Sequence, residues 1–485
     1  MKLMNSPLPS ALLPLALTLV LNGCAIGPDY LRTEIQIPPS YREAAGWKTA
    51  QPADTQTASA WWERYGDPLL NDLAQQVAIS NQNVVAAAAQ YRQAEALLAG
   101  ARAAWFPSLG AGLATTRSQG VSSATSTTVN PARTIDRLSL NSSWEVDLWG
   151  RISRSVESSA SALEANAADL AAAKLSAQAA LVQSYLQLRV NDAQQGLLTR
   201  TIAAYRRSHQ ITVNRKEAGI ATAADVAQAE AQLKTTEAQA IDLGIQRAQL
   251  EHAIALLIGK LPSEFSLLAG ESVPSLPEVP LVLPSELLER RPDIAAAERR
   301  MASANAQIGV AQAAFFPSLS ISASGGYQHT SFSDLIMLPH RFWSLGPALA
   351  LSIFDGGSRL ALRDQAMASY DRSVASYRQT VLTAFQEVED NLAVLRILKQ
   401  EKEVQAAATR AAGDFQRLTN NQYMAGTVSF LNVATAQAAA LSAERSSLDI
   451  LNRQLAASVG LFKALGGSDW QDNASKPAAK LATVP

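Results

Sequence analysis

Cysteine is almost absent. Cys24 is the only one in 485 residues, so no disulfide within the chain can staple the fold. Histidine is nearly as scarce: His209, His252, His329 and His340 are scattered, with no second His at metal-ligand spacing. There is no zinc-ligand cluster, phosphate-cradling glycine loop or nucleophile elbow, so no metal or cofactor is implied and an enzyme is not expected. Charged residues are only 17 % of the chain and the net charge is −1, which leaves no basic field to attract nucleic acid. Proline is missing from Ala132 to Leu261 and again from Ala348 to Lys476. Long helices are therefore permitted in both stretches.

What is present begins at the N-terminus. Lys2 precedes an apolar stretch, Ala11 to Leu21, too short to span a bilayer. It ends in Leu21-Asn22-Gly23-Cys24. The lone cysteine thus falls where a signal peptide is cleaved. A chance cysteine behind a secretory signal is one reading. The sharper one is a bacterial lipoprotein box, with Asn22 a less usual occupant, in which Cys24 is acylated and tethers the mature chain. Ala25 follows, where an Asp usually signals inner-membrane retention in Gram-negative lipoproteins; the outer membrane is favoured.

The chain is written twice. AWFPSLGAGLA from Ala104 is answered by AFFPSLSISAS from Ala314, and Asn83-Val84-Val85-Ala86-Ala87 by Asp293-Ile294-Ala295-Ala296-Ala297. Later, the run around Gly219 is answered by the run around Gly426. A register kept this long means duplication. From Tyr370 the apolar positions Val374, Tyr377, Val381, Phe385, Val388, Leu392 and Leu395 step by three and four, the seam of a helical bundle or coiled coil. A helix from about Arg359 to Tyr423 is expected. Ala218-Gly219 and Ala425-Gly426 interrupt such patterns and suit left-handed C-caps where one helix ends and the chain reverses.

Between the helices the pattern alternates. Leu138, Leu140, Ser142, Trp144 and Val146 share one face; Arg137, Ser139, Asn141, Ser143, Glu145 and Asp147 share the other. In the second half Leu319, Ile321 and Ala323 oppose serines, and Trp343, Leu345, Leu349, Leu351 and Ile353 oppose small residues. Such strands fit the wall of a transmembrane barrel, with Trp105, Phe106, Trp144, Trp149, Phe315, Phe316, Phe342 and Trp343 near strand ends as interfacial aromatics. A soluble sandwich with one wet face is the competing reading. Two hairpins supply four strands, which cannot close a barrel in lipid alone. Two copies would make eight strands around a filled interior; three would make twelve around an open lumen, and small lumen residues such as Gly110, Gly112, Ser320 and Gly346 favour three.

Cys24-Ala25-Ile26-Gly27-Pro28-Asp29-Tyr30, Trp61-Trp62 with Asp67-Pro68-Leu69, and Arg290-Arg291-Pro292-Asp293-Ile294 running to Phe316-Pro317-Ser318-Leu319 carry a resemblance. The chain resembles an outer-membrane efflux channel of the TolC-like family, in its lipoprotein branch. The resemblance implies a mixed α and β membrane protein: a homotrimer whose twelve-stranded β-barrel, four strands per chain, continues into a periplasmic α-helical coiled-coil tunnel. It implies partners too, a periplasmic adaptor and an inner-membrane efflux pump, and a role as passive conduit for small molecules such as drugs. By position, Asp225 and Tyr423 match a link that holds the tunnel's periplasmic tip closed. Asn432 and Thr435 stand where the family has constriction carboxylates, beside Leu431 and Val428. The turns at Gly219 and Gly426 would meet the adaptor.

The expected organisation is a signal peptide over 1–23, an N-terminal equatorial segment over 24–66 and a first repeat over 67–260, with its β-hairpin at about 106–147. An equatorial linker over 261–284 precedes a second repeat over 285–465, with its β-hairpin at about 316–354, and a tail over 466–485. Two other readings are a trimeric coiled-coil spacer or adhesin without a pore, and an envelope hydrolase; the second lacks a nucleophile–base pair.

Overall fold

The computed structural model describes residues 26–32, 40–44, 60–119, 132–270, 272–278 and 291–467. In chain order the elements are α1 (Pro68–Ser80), α2 (Gln82–Ala103), β1 (Ser108–Ser118), β2 (Arg133–Val146), α3 (Arg151–Glu217), α4 (Ala223–Leu257), α5 (Pro292–Ala313), β3 (Ser318–His329), β4 (Arg341–Ala350), α6 (Ser358–Met424) and α7 (Phe430–Ala464). Duplication is visible in the lengths. Helices α2 and α5 have 22 residues each, α3 and α6 have 67, and α4 and α7 have 35. The chain forms two compact units, one of residues 1–34, 91–166 and 297–377, the other of 35–90, 167–296 and 378–485.

The first unit holds the sheet, antiparallel throughout in the order β1-β2-β3-β4. Its register decides what the alternation means. Leu113 opposes Leu138, Leu138 opposes Tyr327, Ile321 opposes Trp144 and Ala323 opposes Leu345. Cross-strand partners share a face, so one face is apolar across all four strands. Gly112, Ser139, Gly326 and Phe342 follow one another on the opposite face, as do Asn141, Ser324 and Ser344. Leu109, Leu140, Trp343, Leu345 and Leu349 stand exposed on the apolar face. Strand β4 ends at Ala350, opposite Ser318, so Leu351 and Ile353, expected on that strand, lie beyond it. Pro317, just before Ser318, has no N–H with which to continue the ladder.

The twice-written aromatic phrase locks strands to helices. Trp144 Nε1 donates to the Trp105 carbonyl at 3.0 Å, Trp149 Nε1 donates to the Pro317 carbonyl at 2.7 Å, and the Trp149 and Phe316 rings lie 5.0 Å apart. Asp147 opens α3 by accepting from Ile152 N and Ser153 N; Asp355 accepts from Arg359 N at the start of α6. These carboxylates satisfy amides that a helix start leaves without partners. Residues shortly after Cys24 pack here as well. Buried Arg154 pairs with Asp29 at 2.7 Å, Ile26 N donates to Trp149 O at 3.1 Å, and a Cβ on Gly27 would come 2.5 Å from the Gly309 Cα.

The second unit is helical, and its core explains the sequence motifs. Trp61, Trp62 and Tyr65 form a short 3-10 turn, fully packed, with Trp61 stacked 5.3 Å from Phe462 and Tyr65 Oη 2.7 Å from Ser458 Oγ. Asp67 caps α1 through Leu69 N and Leu70 N and also accepts from the buried Tyr185 hydroxyl. Arg291, 6 % exposed, is matched by Asp293, Glu387 and the Ala464 carbonyl. A buried guanidinium is tolerable only when its donors are met in this way.

Candidate gate at the helical-hairpin turns

Both hairpins turn on a left-handed glycine: Gly219 at φ 73° after α3 and Gly426 at φ 79° after α6. Gly219 N donates to Lys216 O at 2.9 Å and Ile220 N to Arg215 O at 2.8 Å. Gly426 N donates to Tyr423 O and Thr427 N to Gln422 O, both at 3.0 Å. These paired bonds are the Schellman closure of a helix. A side chain at either position would be strained by the positive φ.

The next helix starts differently in the two halves. Thr222 Oγ1 accepts from Asp225 N at 3.1 Å while the Asp225 carboxylate accepts from Thr222 N at 2.9 Å, a reciprocal box that opens α4. Ser429 makes no side-chain cap, and Asn432, the counterpart of Asp225, gives its N–H to the Ser429 carbonyl at 3.2 Å. Helix α4 thus begins with a carboxylate facing its positive end, and α7 does not.

Tyr423 is 5 % exposed in an apolar cluster with Ala229, Phe430, Val433 and Ala434, flanked by Ile211 and Val428. Its ring meets Phe430 edge-on at 5.7 Å. The hydroxyl lies 3.3 Å from Thr212 Oγ1, which itself donates to Ser208 O at 3.0 Å, so the phenol is the donor to Thr212. Above the ring, at 4.6 Å, sits the Arg215 guanidinium, whose Nη1 donates to Tyr423 O at 2.8 Å. The Asp225–Tyr423 link implied by the family is therefore not made within the chain. A capping box three residues apart forms locally and engages Asp225, while burial of the Tyr423 ring directs its hydroxyl to Thr212.

Leu431, Asn432 and Thr435 stay exposed, whereas Phe430 before them and Val433 and Ala434 between them are buried in the cluster. The Thr435 hydroxyl donates to Leu431 O at 2.9 Å. This face of α7, turned from the core, carries no charge at the three positions. Farther from the turn, hydrogen bonds from Arg206 and Lys234 hold the Glu237 carboxyl below its ordinary range, and burial pushes the Tyr205 phenol up. Among the described residues no cluster of His, Cys, Asp and Glu could hold a metal. Cys24 lies outside the described residues.

Thr212 and Arg215 were not found from sequence. Thr212 left a trace: Thr419 answers it in the second half, and both are buried. Arg215 left less, because the carbonyls it caps, Tyr423 O and Met424 O, belong to another helix.

A family model described as outer membrane efflux protein matches residues 73–260 and 283–467, one block for each repeat. The probable efflux pump outer membrane protein TtgC of Pseudomonas putida is 30 % identical over 471 residues, covering 94 % of this chain and 95 % of that protein. The pyoverdine export outer membrane protein OpmQ of Pseudomonas aeruginosa is 32 % identical over 469 residues, covering 95 % and 97 %. Among solved structures, the outer-membrane channel OprN aligns with a TM-score of 0.86 at 31 % identity, over 92 % of this chain and 100 % of that one. The open state of the Neisseria gonorrhoeae MtrE outer membrane channel aligns with 0.80 at 26 % identity, over 92 % and 98 %.

Proposed function

The chain belongs to the outer membrane efflux protein family, and on that premise we propose that it is the passive outer-membrane conduit of a tripartite efflux assembly, without catalytic chemistry of its own. The observation that carries this reading is the sheet. One face is largely apolar across all four strands, the other mostly small or polar, and among the described residues β1 and β4 each have an unpaired edge. In lipid, unpaired backbone groups cost several kcal/mol each. Three copies close the edges into one barrel with the apolar face toward lipid and the serine–glycine face around a lumen. The cargo is small molecules. Relatives are named for toluene, antibiotics and pyoverdine, and a lumen face made mostly of small and polar side chains, with Arg137 and Glu145 also on it, suits cargo selected elsewhere, by the pump.

Within this reading Cys24 carries the lipid anchor, the turns at Gly219 and Gly426 meet the periplasmic adaptor, and the cluster around Tyr423 contributes to closure, with Leu431, Asn432 and Thr435 at the constriction. Planar-bilayer recording of the purified trimer tests the function. Discrete conductance steps are expected; their absence from an intact trimer would favour the pore-free spacer.

A further inference from the structure

The two hairpin tips have different chemistry. The tip between β1 and β2 is rich in Ser and Thr, whereas the one between β3 and β4 reads TSFSDLIMLP from Thr330 to Pro339. Two short 3-10 turns, Phe332–Asp334 and Leu338–His340, shape this second tip. It does not simply bridge the strands. His329 shares the apolar face with Tyr327 and Leu319, and the His340 ring stacks on it with centroids 3.8 Å apart and planes 16° from parallel. The His340 Nδ1–H donates to Asp334 O at 2.7 Å, and His329 Nδ1 accepts from Ser331 N at 3.1 Å. The tip is thereby clipped back onto the apolar face.

Two further observations agree with that placement. Asp136 opposes His329 in the register and so is a carboxylate on the apolar face, yet it is only 5 % exposed and accepts from Thr115 Oγ1 at 2.7 Å. A charge facing hydrocarbon needs cover of this kind. Leu335 of the tip is buried, at 3 % exposure, while Phe332, Ile336 and Leu338 are exposed by 65 %, 70 % and 72 %. The tip is therefore amphipathic, with Leu335 inward and Phe332, Ile336, Leu338 and the less exposed Met337 outward.

Length gives the outward residues a destination. From Leu319 to Tyr327 the apolar face of β3 runs nine residues, or eight steps along the strand. At ~3.3 Å per residue and a tilt of roughly 40°, that spans about 20 Å of membrane, short of the ~25 Å apolar band of an outer-membrane barrel. We infer that the β3–β4 tip lies against the outer rim of the barrel and buries Phe332, Ile336 and Leu338 among the acyl chains of the outer leaflet, extending the lipid-facing belt. The occupant of this patch is lipid, because the patch continues the face already given to lipid, next to Trp343, which is 79 % exposed. The inference rests on the reading of the sheet as a membrane wall.

Nitroxide labels test both separately. The full chain carries single substitutions Ile336→Cys, Leu338→Cys or Phe332→Cys, with Leu345→Cys as the lipid-wall reference and Ser344→Cys as the lumen reference. The unsubstituted chain measures any labelling of Cys24. Each trimer is reconstituted into vesicles of phosphatidylethanolamine and phosphatidylglycerol, and collisions with oxygen and with a water-soluble nickel chelate are compared. The expected result is an oxygen-to-nickel ratio at the three tip positions matching Leu345 and several-fold above Ser344. Nickel access equal to that at Ser344 would put the tip in water and overturn the inference. Low access to both reagents would mean another copy covers it, and would overturn it too. A Leu345 ratio no higher than that of Ser344 would instead remove the membrane wall on which the inference stands.

Discussion

Arg215 spans the two halves of the repeat: its guanidinium lies over the Tyr423 ring at 4.6 Å and donates to the Tyr423 carbonyl at 2.8 Å. It acts at once as a cation on an aromatic face and as a C-cap for α6. A cation–π contact contributes about 0.5–2 kcal/mol and a charged hydrogen bond about 1.5–3 kcal/mol, values that do not simply add. If closure depends on this cluster, Arg215→Ala raises basal conductance of the trimer in planar bilayers, and Arg215→Lys raises it less. Asp225→Ala loses the capping box, roughly 1 kcal/mol, and leaves the Tyr423 contacts in place, so it opens the channel less than Arg215→Ala. The reverse ranking would return the restraint to Asp225.

The glycine positions separate turn geometry from close approach. Gly219 has nothing within 4 Å of an added Cβ, so Gly219→Ala carries only the left-handed strain, about 1–2 kcal/mol. Gly259 has a similar φ of 72°, but its Cβ would meet Ser80 O at 2.3 Å, where Ser80 and Asn81 hold the end of α4 through Ile258 O and Leu257 O. Gly259→Ala should therefore lower the thermal unfolding temperature well beyond Gly219→Ala. Equal losses would show that the Ser80 contact relaxes freely.

A third prediction concerns charge on the exposed face of α7 that is proposed to line the constriction. Asn432 and Thr435 are exposed and uncharged, and carboxylate rings are what concentrate multivalent cations at a pore. Wild type should show little block by a trivalent cation added on the periplasmic side. Asn432→Asp puts one carboxylate in each copy and should create voltage-dependent block. Strong block of wild type, abolished by Asp225→Ala, would assign the ring to Asp225 instead.

Lipidation is read from intact mass. The purified chain should begin at Cys24 and carry added acyl mass, and Cys24→Ser should lose that mass. An intact precursor with an unmodified cysteine would defeat the lipoprotein reading.

The sequence by itself determined what depends on local pattern. Proline-free stretches allowed 67-residue helices at α3 and α6, period-two alternation marked strands, and Gly219 and Gly426 marked the reversals. These features follow from covalent geometry and from burial repeating along one element, so one strand or one helix carries the whole signal. Pairing between elements is another matter. Only the tertiary register set Leu138 beside Tyr327 and made four separate alternations into one apolar face. Likewise Tyr423 finds Thr212 across 211 residues of sequence, while Asp225, the partner implied by resemblance, is engaged by Thr222 three residues away. A hydrogen bond requires atoms within about 3 Å and aligned, and the packing of one hairpin on the other, which no local pattern encodes, brings Thr212 to the Tyr423 hydroxyl.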